Sequence, residues 1–374
     1  MKPNIIIDSN IPFIKGVFDD VANVRYLDGC NIRNKDVRNA DALIIRTRTR
    51  CDEELLRNSS VKYIATATIG FDHIDTGYCQ KHNIAWTNAC GCNAKSVQQY
   101  VASALCFLQQ KSKIDLNTAT VGIVGVGNVG KLTAEFCEII GVKTLLNDPL
   151  RQRIENDNKF VSLKEIAEKC DIITFHTPLN KEGIDKTFHL IDDNFLRSLQ
   201  KTPVIINTAR GEICDTEALK KAKIEQRISG IVLDCWEKEP NIDADLLAMC
   251  DIATPHIAGY SADGKANATT ACVQYISNCF NLGINNWQVK NIPAPKQSVI
   301  TLDNTSANFI DVIAEAVLKT YQIEKESSAL KNNIHNFEFF RNHYPLRREF
   351  DSYTVLLKEK DEKIAEILKR VGFK

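Results

Sequence analysis

The sequence lacks the features that mark membrane, secreted or nucleic-acid-binding proteins. Its 47 lysines and arginines balance 47 aspartates and glutamates, so no overall charge attracts it to nucleic acid or to an acidic membrane. No apolar run approaches the length of a membrane span, and the N-terminal MKPNIIIDSN contains no signal-peptide pattern. We therefore expect a cytoplasmic protein with neither a membrane nor a nucleic acid as its partner.

The cysteines lack a regular framework. There are thirteen of them, an odd number scattered along the chain. The only close pair, Cys90 and Cys92, has no second pair at the spacing of a zinc finger. We expect reduced thiols and no metal site. Internal repeats and low-complexity tracts are also missing from the sequence.

At 374 residues the chain is too long for one ordinary core, and two or three domains are expected. Short apolar strands alternate with helical stretches, including a long helix from about Ser96, and this alternation is typical of a doubly wound parallel α/β sheet. The predicted strands are NIIID (4–8), ADALIIRT (40–47), VKYIATAT (61–68), IAWTNA (84–89), TVGIV (120–124), VKTLLNDP (142–149), DIITFHTP (171–178), PVIINTAR (203–210), GIVLDCW (230–236) and DIATPHIA (251–258).

The residues after about Asn291 are predicted to form a small α+β domain. They contain a strand (298–303), a helix (308–323), a polar loop, a second strand (352–358) and a last helix (361–373). The first helix has a broad apolar stripe that a domain of this size is not expected to bury alone: Phe309, Ile310, Val312, Ile313, Ala316 and Val317. We expect this domain to join two subunits in a homodimer.

A glycine-rich segment, GVGNVG, follows the strand TVGIV and precedes a helical stretch. Glycines in a G-x-G-x-x-G pattern permit a tight turn and let the backbone approach a pyrophosphate, which then lies at a helix N-terminus. In this context the pattern predicts a dinucleotide site made by Gly125, Gly127, Asn128, Val129 and Gly130.

Asp148 ends the next predicted strand, eighteen residues after Gly130. A carboxylate at this position accepts hydrogen bonds from the ribose hydroxyls and repels a 2′-phosphate. NAD is therefore favoured over NADP as the cofactor.

Three polar residues lie at or just after the ends of predicted strands further along the chain: Arg210, Glu239 and His256. The carboxyl ends of parallel strands meet at one edge of a sheet, so these residues are expected to converge. Hydride transfer from a hydroxyl-bearing carbon needs a base, a carboxylate that orients the base, and a cation that binds the substrate carboxylate. His256, Glu239 and Arg210 suit these three roles.

Together these motifs resemble the D-isomer-specific 2-hydroxyacid dehydrogenase family. ATATIGFDHID, ACGCNA, ITFHTPL, LDCWEKEP and TPHIAGYSADGKA narrow the resemblance to members that act on a phosphorylated acid and carry a C-terminal dimerisation domain. The resemblance implies a Rossmann-type NAD domain (93–257), a flavodoxin-like α/β substrate domain (1–92, completed by 258–290) and the dimerisation domain (291–374). It also implies further cofactor-binding residues, Thr177, Asp234 and Gly259, and the substrate-binding residues Thr47, Thr68 and Tyr260. Cys235 is expected to be a packing substitution.

The stretch IIRTRTR (44–50) alternates arginine with threonine, the pattern of a strand, and its side chains suit an anion. Arg46, beside Thr47, is the first candidate to bind the phosphate of a small phosphorylated 2-hydroxy acid. Arg347 and Arg348 in the tail are a second source, acting across a dimer. Two alternatives stay open at this point. One is a related 2-hydroxyacid substrate such as phosphoglycerate, glycerate or lactate, and the other is an NAD-sensing binding protein without turnover.

Overall fold

The structure is a computed structural model that describes residues 2–305 and 308–374. Up to Asn93, strands alternate with short helices: β1 (Asn4–Asp8), β2 (Asn23–Leu27), α1 (Asn34–Val37), β3 (Ala42–Ile45), α2 (Glu53–Leu56), β4 (Tyr63–Thr66), α3 (Thr76–Lys81) and β5 (Ala85–Asn88). Strand β3 is buried at every position and β1 at all but its first, as is typical of parallel strands covered on both faces.

The central segment continues the alternation. Its elements are α4 (Ala94–Gln110), β6 (Thr120–Val124), α5 (Asn128–Ile139), β7 (Lys143–Asn147), α6 (Pro149–Glu155), α7 (Leu163–Lys169), β8 (Ile172–Phe175), α8 (Asp193–Ser198), β9 (Val204–Asn207), α9 (Thr216–Ile224), β10 (Gly230–Leu233), α10 (Ala244–Met249) and β11 (Ile252–Ala253). Aspartate or serine side chains cap many of these helices; Ser162, for example, accepts a hydrogen bond from the backbone N–H of Glu165 at the start of α7.

The remaining elements are α11 (Ala262–Phe280), β12 (Val299–Leu302), α12 (Phe309–Thr320), α13 (Ile323–Asn332), α14 (Phe337–Asn342), β13 (Thr354–Leu357) and α15 (Glu362–Val371). Within the two described ranges, none of the helices is long and apolar enough to cross a membrane.

The chain divides into two compact units. The first unit contains the described residues up to Asn93 together with Ser261–Pro293. Its five strands are parallel and lie in the order β2-β1-β3-β4-β5, which is the strand order of flavodoxin. Ile5 of β1 pairs with Val24 of β2 on one side and with Ala42 of β3 on the other.

The second unit contains Ala94–Tyr260 and the described residues of Ala294–Lys374. Its parallel sheet has the order β11-β10-β9-β8-β6-β7, and an isolated bridge from Leu146 to Phe160 continues it beyond β7. The direction of winding reverses between β6 and β8, and ligands of doubly wound sheets bind outside the carboxyl ends of strands at such a point. The prediction of a doubly wound Rossmann-type fold is confirmed.

The C-terminal residues differ from their sequence pattern in two respects. Helices α13 and α14 occupy most of the predicted polar loop. The apolar stripe of α12 is already covered within the second unit, where α12 packs against α4 and Ile310, Val312 and Ile313 are each no more than 4% exposed. That stripe therefore gives no support to dimerisation.

Two strand predictions were also inaccurate. Residues 46–50 of IIRTRTR form a turn instead of a strand, and the backbone N–H of Thr49 donates to the carbonyl of Arg46. Thr49 is buried, and its hydroxyl donates to the carbonyl of Gly29. Strand β2 was not predicted, since NVRYL is a half-exposed edge strand with little apolar signal. The three predicted domain boundaries stay a prediction.

Candidate active site

The glycine-rich turn between β6 and α5 has the shape that a pyrophosphate requires. Gly125 has a φ of +86°, and a Cβ there would lie 2.8 Å from the carbonyl carbon of His176. A Cβ at Gly130 would lie 2.0 Å from the carbonyl oxygen of Gly125, so only glycine lets α5 approach the turn this closely. A Cβ at Gly127 would meet no described protein atom within 4 Å, which leaves room for a ligand beside the helix.

Helix α5 begins at Asn128, directly after this open position. Gly127 and Asn128 are exposed, while Val129 is half-buried. The first backbone N–H groups of a helix have no acceptor within it, and its dipole favours an anion there. The predicted pyrophosphate-binding residues therefore lie together at one helix start.

Asp148 contacts the same glycine-rich turn. Its Oδ2 accepts a hydrogen bond from the N–H of Val126 at 2.9 Å, and its Oδ1 accepts from the N–H of Arg151 at 3.0 Å. Each carboxylate oxygen keeps a further lone pair for a ribose hydroxyl. The nearby guanidinium of Arg151 binds Glu155 and the carbonyl of Val126, so its donors are committed within the protein.

Thr177, which follows β8 on the other side of the switch point, has a buried hydroxyl. Its Oγ1 has no hydrogen-bond partner in the described parts of the chain. Such an atom is costly to bury unless a ligand or water satisfies it. This buried hydroxyl, the space at Gly127 and the carboxylate of Asp148 fit the ribose and phosphate groups of NAD.

Arg210 follows β9 and is half-buried. The side chain of Asn207 fixes the turn, because its Nδ2 donates to the carbonyl of Arg210 at 2.7 Å and its Oδ1 accepts from the N–H of Ala209 at 3.0 Å. Arg210 donates one hydrogen bond, to the carbonyl of Ala209 at 2.8 Å. Across residues 2–305 and 308–374, no carboxylate forms an ion pair with it, so its guanidinium retains donors for a substrate carboxylate.

Glu239 and His256 form the predicted orienting pair. The Nδ1 of His256 lies 2.8 Å from Oε2 of Glu239 and 3.1 Å from its Oε1. Burial would raise the pKa of Glu239, but the hydrogen bond and charge of His256 and the backbone N–H of Trp236 lower it overall. The other imidazole nitrogen, Nε2, has no hydrogen-bond partner within the described residues. It is therefore the atom available for proton transfer.

His256 has a left-handed backbone conformation, with a φ of +56°, which is rare for a residue with a side chain. Its N–H donates to the carbonyl of Asp234 at 2.8 Å. The carboxylate of Asp234 accepts hydrogen bonds from the N–H groups of Ile257 and Ala258 and from the hydroxyl of Thr254. Asp234 was predicted as a cofactor residue, and the structure also makes it the support of the strained loop that presents His256.

Cys235 lies beside the catalytic candidates. Its Sγ, a carboxylate oxygen of Glu239 and a ring nitrogen of His256 are all within 4.8 Å of one another, a spacing compatible with a metal ion. Burial, followed by the charges of Asp234 and Glu239, raises the pKa of the Cys235 thiol. The thiol donates to the carbonyl of Ala209 at 3.4 Å, next to Arg210. It therefore packs between the elements that carry the three predicted catalytic residues.

The C-terminal end of the His256 loop carries two further predicted residues. Gly259 and Tyr260 are half-buried and belong to a turn in which the N–H of Tyr260 donates to the carbonyl of Ile257 at 2.9 Å. The ring of Tyr260 packs edge-to-face against Tyr344, with 5.9 Å between the ring centres. Both residues thus follow His256 within one short, supported segment.

The other predicted substrate residues lie in the first unit. Thr47 is exposed in the turn after β3. Thr68 follows β4, where its hydroxyl donates to the carbonyl of Gly70 at 2.9 Å and lies 2.7 Å from the hydroxyl of Thr66. Arg46 forms an ion pair with the buried Asp8, at 2.8 Å from its Nε and 3.4 Å from its Nη2. This carboxylate already balances the charge of Arg46, which weakens it as a candidate for the phosphate.

The suggestion that Arg347 reaches a partner subunit was wrong. Arg347 is 5% exposed, and its Nη2 donates within its own chain to Ser96 and to the carbonyls of Ile257 and Ala258. Sequence reasoning missed another arginine, Arg341 on α14, which lies near Glu239 and Tyr260. Its only signal was a basic residue in an aromatic stretch, FEFFRN, and that gave no indication of what it contacts.

Two segments of the chain match known families. Residues 93–258 match the family described as D-isomer specific 2-hydroxyacid dehydrogenase, NAD binding domain. Residues 292–372 match a family described as a domain of unknown function, DUF3410.

Whole-length relatives and a solved structure extend this result. The erythronate-4-phosphate dehydrogenase of Bacteroides fragilis is 49% identical over 354 residues, which cover 94% of this chain and 99% of that protein. The erythronate-4-phosphate dehydrogenase of Porphyromonas gingivalis is 40% identical over 370 residues, with 99% of both chains covered. The NAD⁺-bound 3-phosphoglycerate dehydrogenase of Entamoeba histolytica aligns with a TM-score of 0.64 and 26% identity, covering 78% of this chain and 100% of that one.

Proposed function

The chain belongs to the erythronate-4-phosphate dehydrogenase family, and from this membership we propose that it oxidises 4-phospho-D-erythronate to (R)-3-hydroxy-2-oxo-4-phosphooxybutanoate in the biosynthesis of pyridoxal 5′-phosphate. The prediction of NAD as its cofactor is confirmed. The observation that carries the proposal is the hydrogen bond between Glu239 and His256. The thiol of Cys235 lies within 4.8 Å of both side chains and donates to the carbonyl of Ala209, the residue before Arg210.

Each residue has a defined task in this reaction. The guanidinium of Arg210 binds the C1 carboxylate and orients C2 of the substrate. Nε2 of His256 accepts the proton of the C2 hydroxyl as the carbonyl forms, and Glu239 fixes the ring and stabilises the resulting imidazolium. Bound NAD⁺ supplies the acceptor for the hydride that leaves C2. The electron pair of the broken C–H bond departs with the hydride, and the hydroxyl proton remains on His256.

A panel of D-2-hydroxy acids tests the substrate. 4-Phospho-D-erythronate, D-erythronate, 3-phospho-D-glycerate, D-glycerate and D-lactate are each mixed with the protein and NAD⁺, and NADH absorbance is followed. We expect the highest kcat/KM for 4-phospho-D-erythronate. A higher value for 3-phospho-D-glycerate or D-lactate would identify another member of the wider family, and NAD⁺ binding without any turnover would indicate a sensor. Thr47 and Thr68 stay predictions as additional substrate contacts.

Asp148 is expected to set the preference for NAD. In Asp148→Ser we expect kcat/KM with NAD⁺ to fall by about 10–100-fold, because charge-assisted hydrogen bonds to the ribose are lost. NADP⁺ should lose less, or gain, because the repulsion of its 2′-phosphate is removed. Initial rates with both cofactors measure the change. Asp157→Ser is a suitable control, since Asp157 pairs with Lys159 and does not contact the glycine-rich turn. An unchanged preference would remove Asp148 from the ribose site.

We also propose a homodimer formed through the C-terminal residues. Strands β12 and β13 pair with each other, and Lys374 hydrogen-bonds to the backbone of Tyr353 and Val355 along the far side of β13. Val299 and Leu356, on this small sheet, are 46% and 51% exposed, and such apolar surface is typical of an interface.

Sedimentation velocity at micromolar concentration tests the dimer. We expect a mass of about twice the 42.0 kDa of the chain. Leu356→Lys should shift the protein towards the monomer, because a charge is costly in an apolar interface. Ile224→Lys, at an exposed apolar residue of α9, should not. A wild-type monomer would refute the proposal.

We place the enzyme in the cytoplasm, which is consistent with thirteen free cysteines.

A further inference from the structure

The C-terminal segment from α14 to Arg347 contacts the loop that carries His256. Arg347 donates from Nη2 to the carbonyl of Ile257 at 3.3 Å and to the carbonyl of Ala258, the two residues after His256. Its guanidinium also stacks on Tyr321, at 4.5 Å from the ring centre. These contacts lie within the second unit, so the segment is anchored beside the catalytic loop of its own chain.

Arg341, on α14, is the residue of this segment that contacts Tyr260 and Glu239. Its Nη2 lies 3.4 Å from the hydroxyl of Tyr260, and its Nη1 lies 3.9 Å from Oε2 of Glu239 and 3.2 Å from Oε1 of Glu338. The rings of Tyr260 and Phe337 are 6.0 and 5.9 Å from its guanidinium carbon. Only 21% of the side chain is exposed, and its Nε is buried with no hydrogen-bond partner among the residues that the structure describes. The guanidinium of Arg341 is thus held beside the carboxylate of Glu239 instead of extending into water.

Several charged groups surround Glu239 and His256, so the position of Arg341 affects the electrostatics of this pair. Glu239 faces His256 and Arg341, while Asp234, directly after β10, faces His256, and Cys235 lies beside both Asp234 and Glu239. Arg341 also faces Glu338 from its own helix. Asp234 and Glu239 are two carboxylates beside the imidazole, and Arg341 places a positive charge against one of them. Arg341 is the positive group whose charge lowers the pKa of Glu239 in addition to His256.

We infer that Arg341, contributed by the C-terminal segment of the same subunit, is a positioning residue for the Glu239–His256 pair and for Tyr260. It holds the carboxylate and the phenol in place and opposes protonation of the pair before substrate binds. On this inference the tail is part of the catalytic apparatus of its own subunit, in addition to any role in dimerisation. The inference rests on the proposed function for its kinetic readout.

The test compares three variants of the full chain. Arg341→Gln removes the charge, Arg341→Lys keeps it, and Arg370→Gln removes an exposed arginine of α15 as the control. With 4-phospho-D-erythronate and NAD⁺, we expect kcat/KM to fall about tenfold or more in Arg341→Gln, with substantial recovery in Arg341→Lys and no change in Arg370→Gln. The acid limb of the kcat/KM profile should move up by about one pH unit in Arg341→Gln, because the pair then keeps its proton to higher pH.

A second readout needs no substrate. The imidazole signal of His256, assigned in the proton NMR spectrum by its loss in His256→Gln, is titrated in wild type and in Arg341→Gln without ligands. We expect the same upward displacement as in the kinetic profile. A wild type inactive on 4-phospho-D-erythronate would refute the proposed function while this titration still decides the inference. An unmoved titration and acid limb would overturn the inference, and a loss seen with 4-phospho-D-erythronate but not with D-erythronate would instead make Arg341 a direct phosphate contact.

Discussion

His256→Ala is expected to lower kcat by about 10²–10⁴-fold, the usual contribution of a positioned general base. Nε2 of His256 has no hydrogen-bond partner within the described chain, whereas Nδ1 is fixed by Glu239 at 2.8 Å. Alanine removes both the proton acceptor and the group that Glu239 orients. Steady-state rates with 4-phospho-D-erythronate measure the loss. Equilibrium binding of NAD⁺ should change little, because the glycine-rich turn and Asp148 do not depend on this side chain.

Two further variants separate the chemistry of His256 from its unusual backbone. His256→Asn suits the left-handed conformation better than alanine does but supplies no base, so it should be as inactive as His256→Ala. Glu239→Gln keeps a hydrogen-bonding side chain and should retain more activity than either histidine variant, since it removes only the charge that stabilises the imidazolium. Near wild-type turnover in His256→Asn would exclude the histidine as the base.

The fold could be predicted from the sequence at positions where a local pattern has a single structural explanation. The glycines at 125 and 130 leave no space for a side chain, and buried parallel strands such as β3 produce unbroken apolar runs. Glu239, His256 and Arg210 could be proposed because strand order brings strand ends to one edge of a sheet. These inferences needed only spacing and topology.

The incorrect predictions concern polar side chains whose hydrogen-bond partners are distant in sequence. Alternation in IIRTRTR suggested a strand, but Thr49 turns inward to the carbonyl of Gly29 and Arg46 turns to Asp8. Arg347 resembled a surface charge, yet it is buried against carbonyls about ninety residues earlier in the chain. A local pattern gives the polarity of such a residue, but only the fold determines which group satisfies it.

Arg210 carries the second large effect, because it is the half-buried cation proposed to bind the C1 carboxylate. Arg210→Leu is expected to lower kcat/KM by about 10²–10⁴-fold. A two-pronged contact contains two charge-assisted hydrogen bonds, each worth about 1.5–3 kcal/mol, and about 1.4 kcal/mol corresponds to a factor of ten. Arg210→Lys should recover only part of the loss, since an ammonium group keeps the charge but cannot match both carboxylate oxygens. Arg197→Gln, at an exposed arginine paired with Asp193, is the control.

The C1 amide of the substrate distinguishes a direct contact with the carboxylate from a structural role. If Arg210 binds the carboxylate, wild type should lose most of its kcat/KM on the neutral amide, and Arg210→Leu should add little to that loss, because both changes remove the same interaction. If Arg210 instead maintains the turn after β9, the losses from the variant and from the amide should multiply. Asn207 already fixes that turn through the backbone of Ala209 and Arg210, independently of the guanidinium. We therefore expect the shared loss, with the folded state of Arg210→Leu unchanged in thermal unfolding.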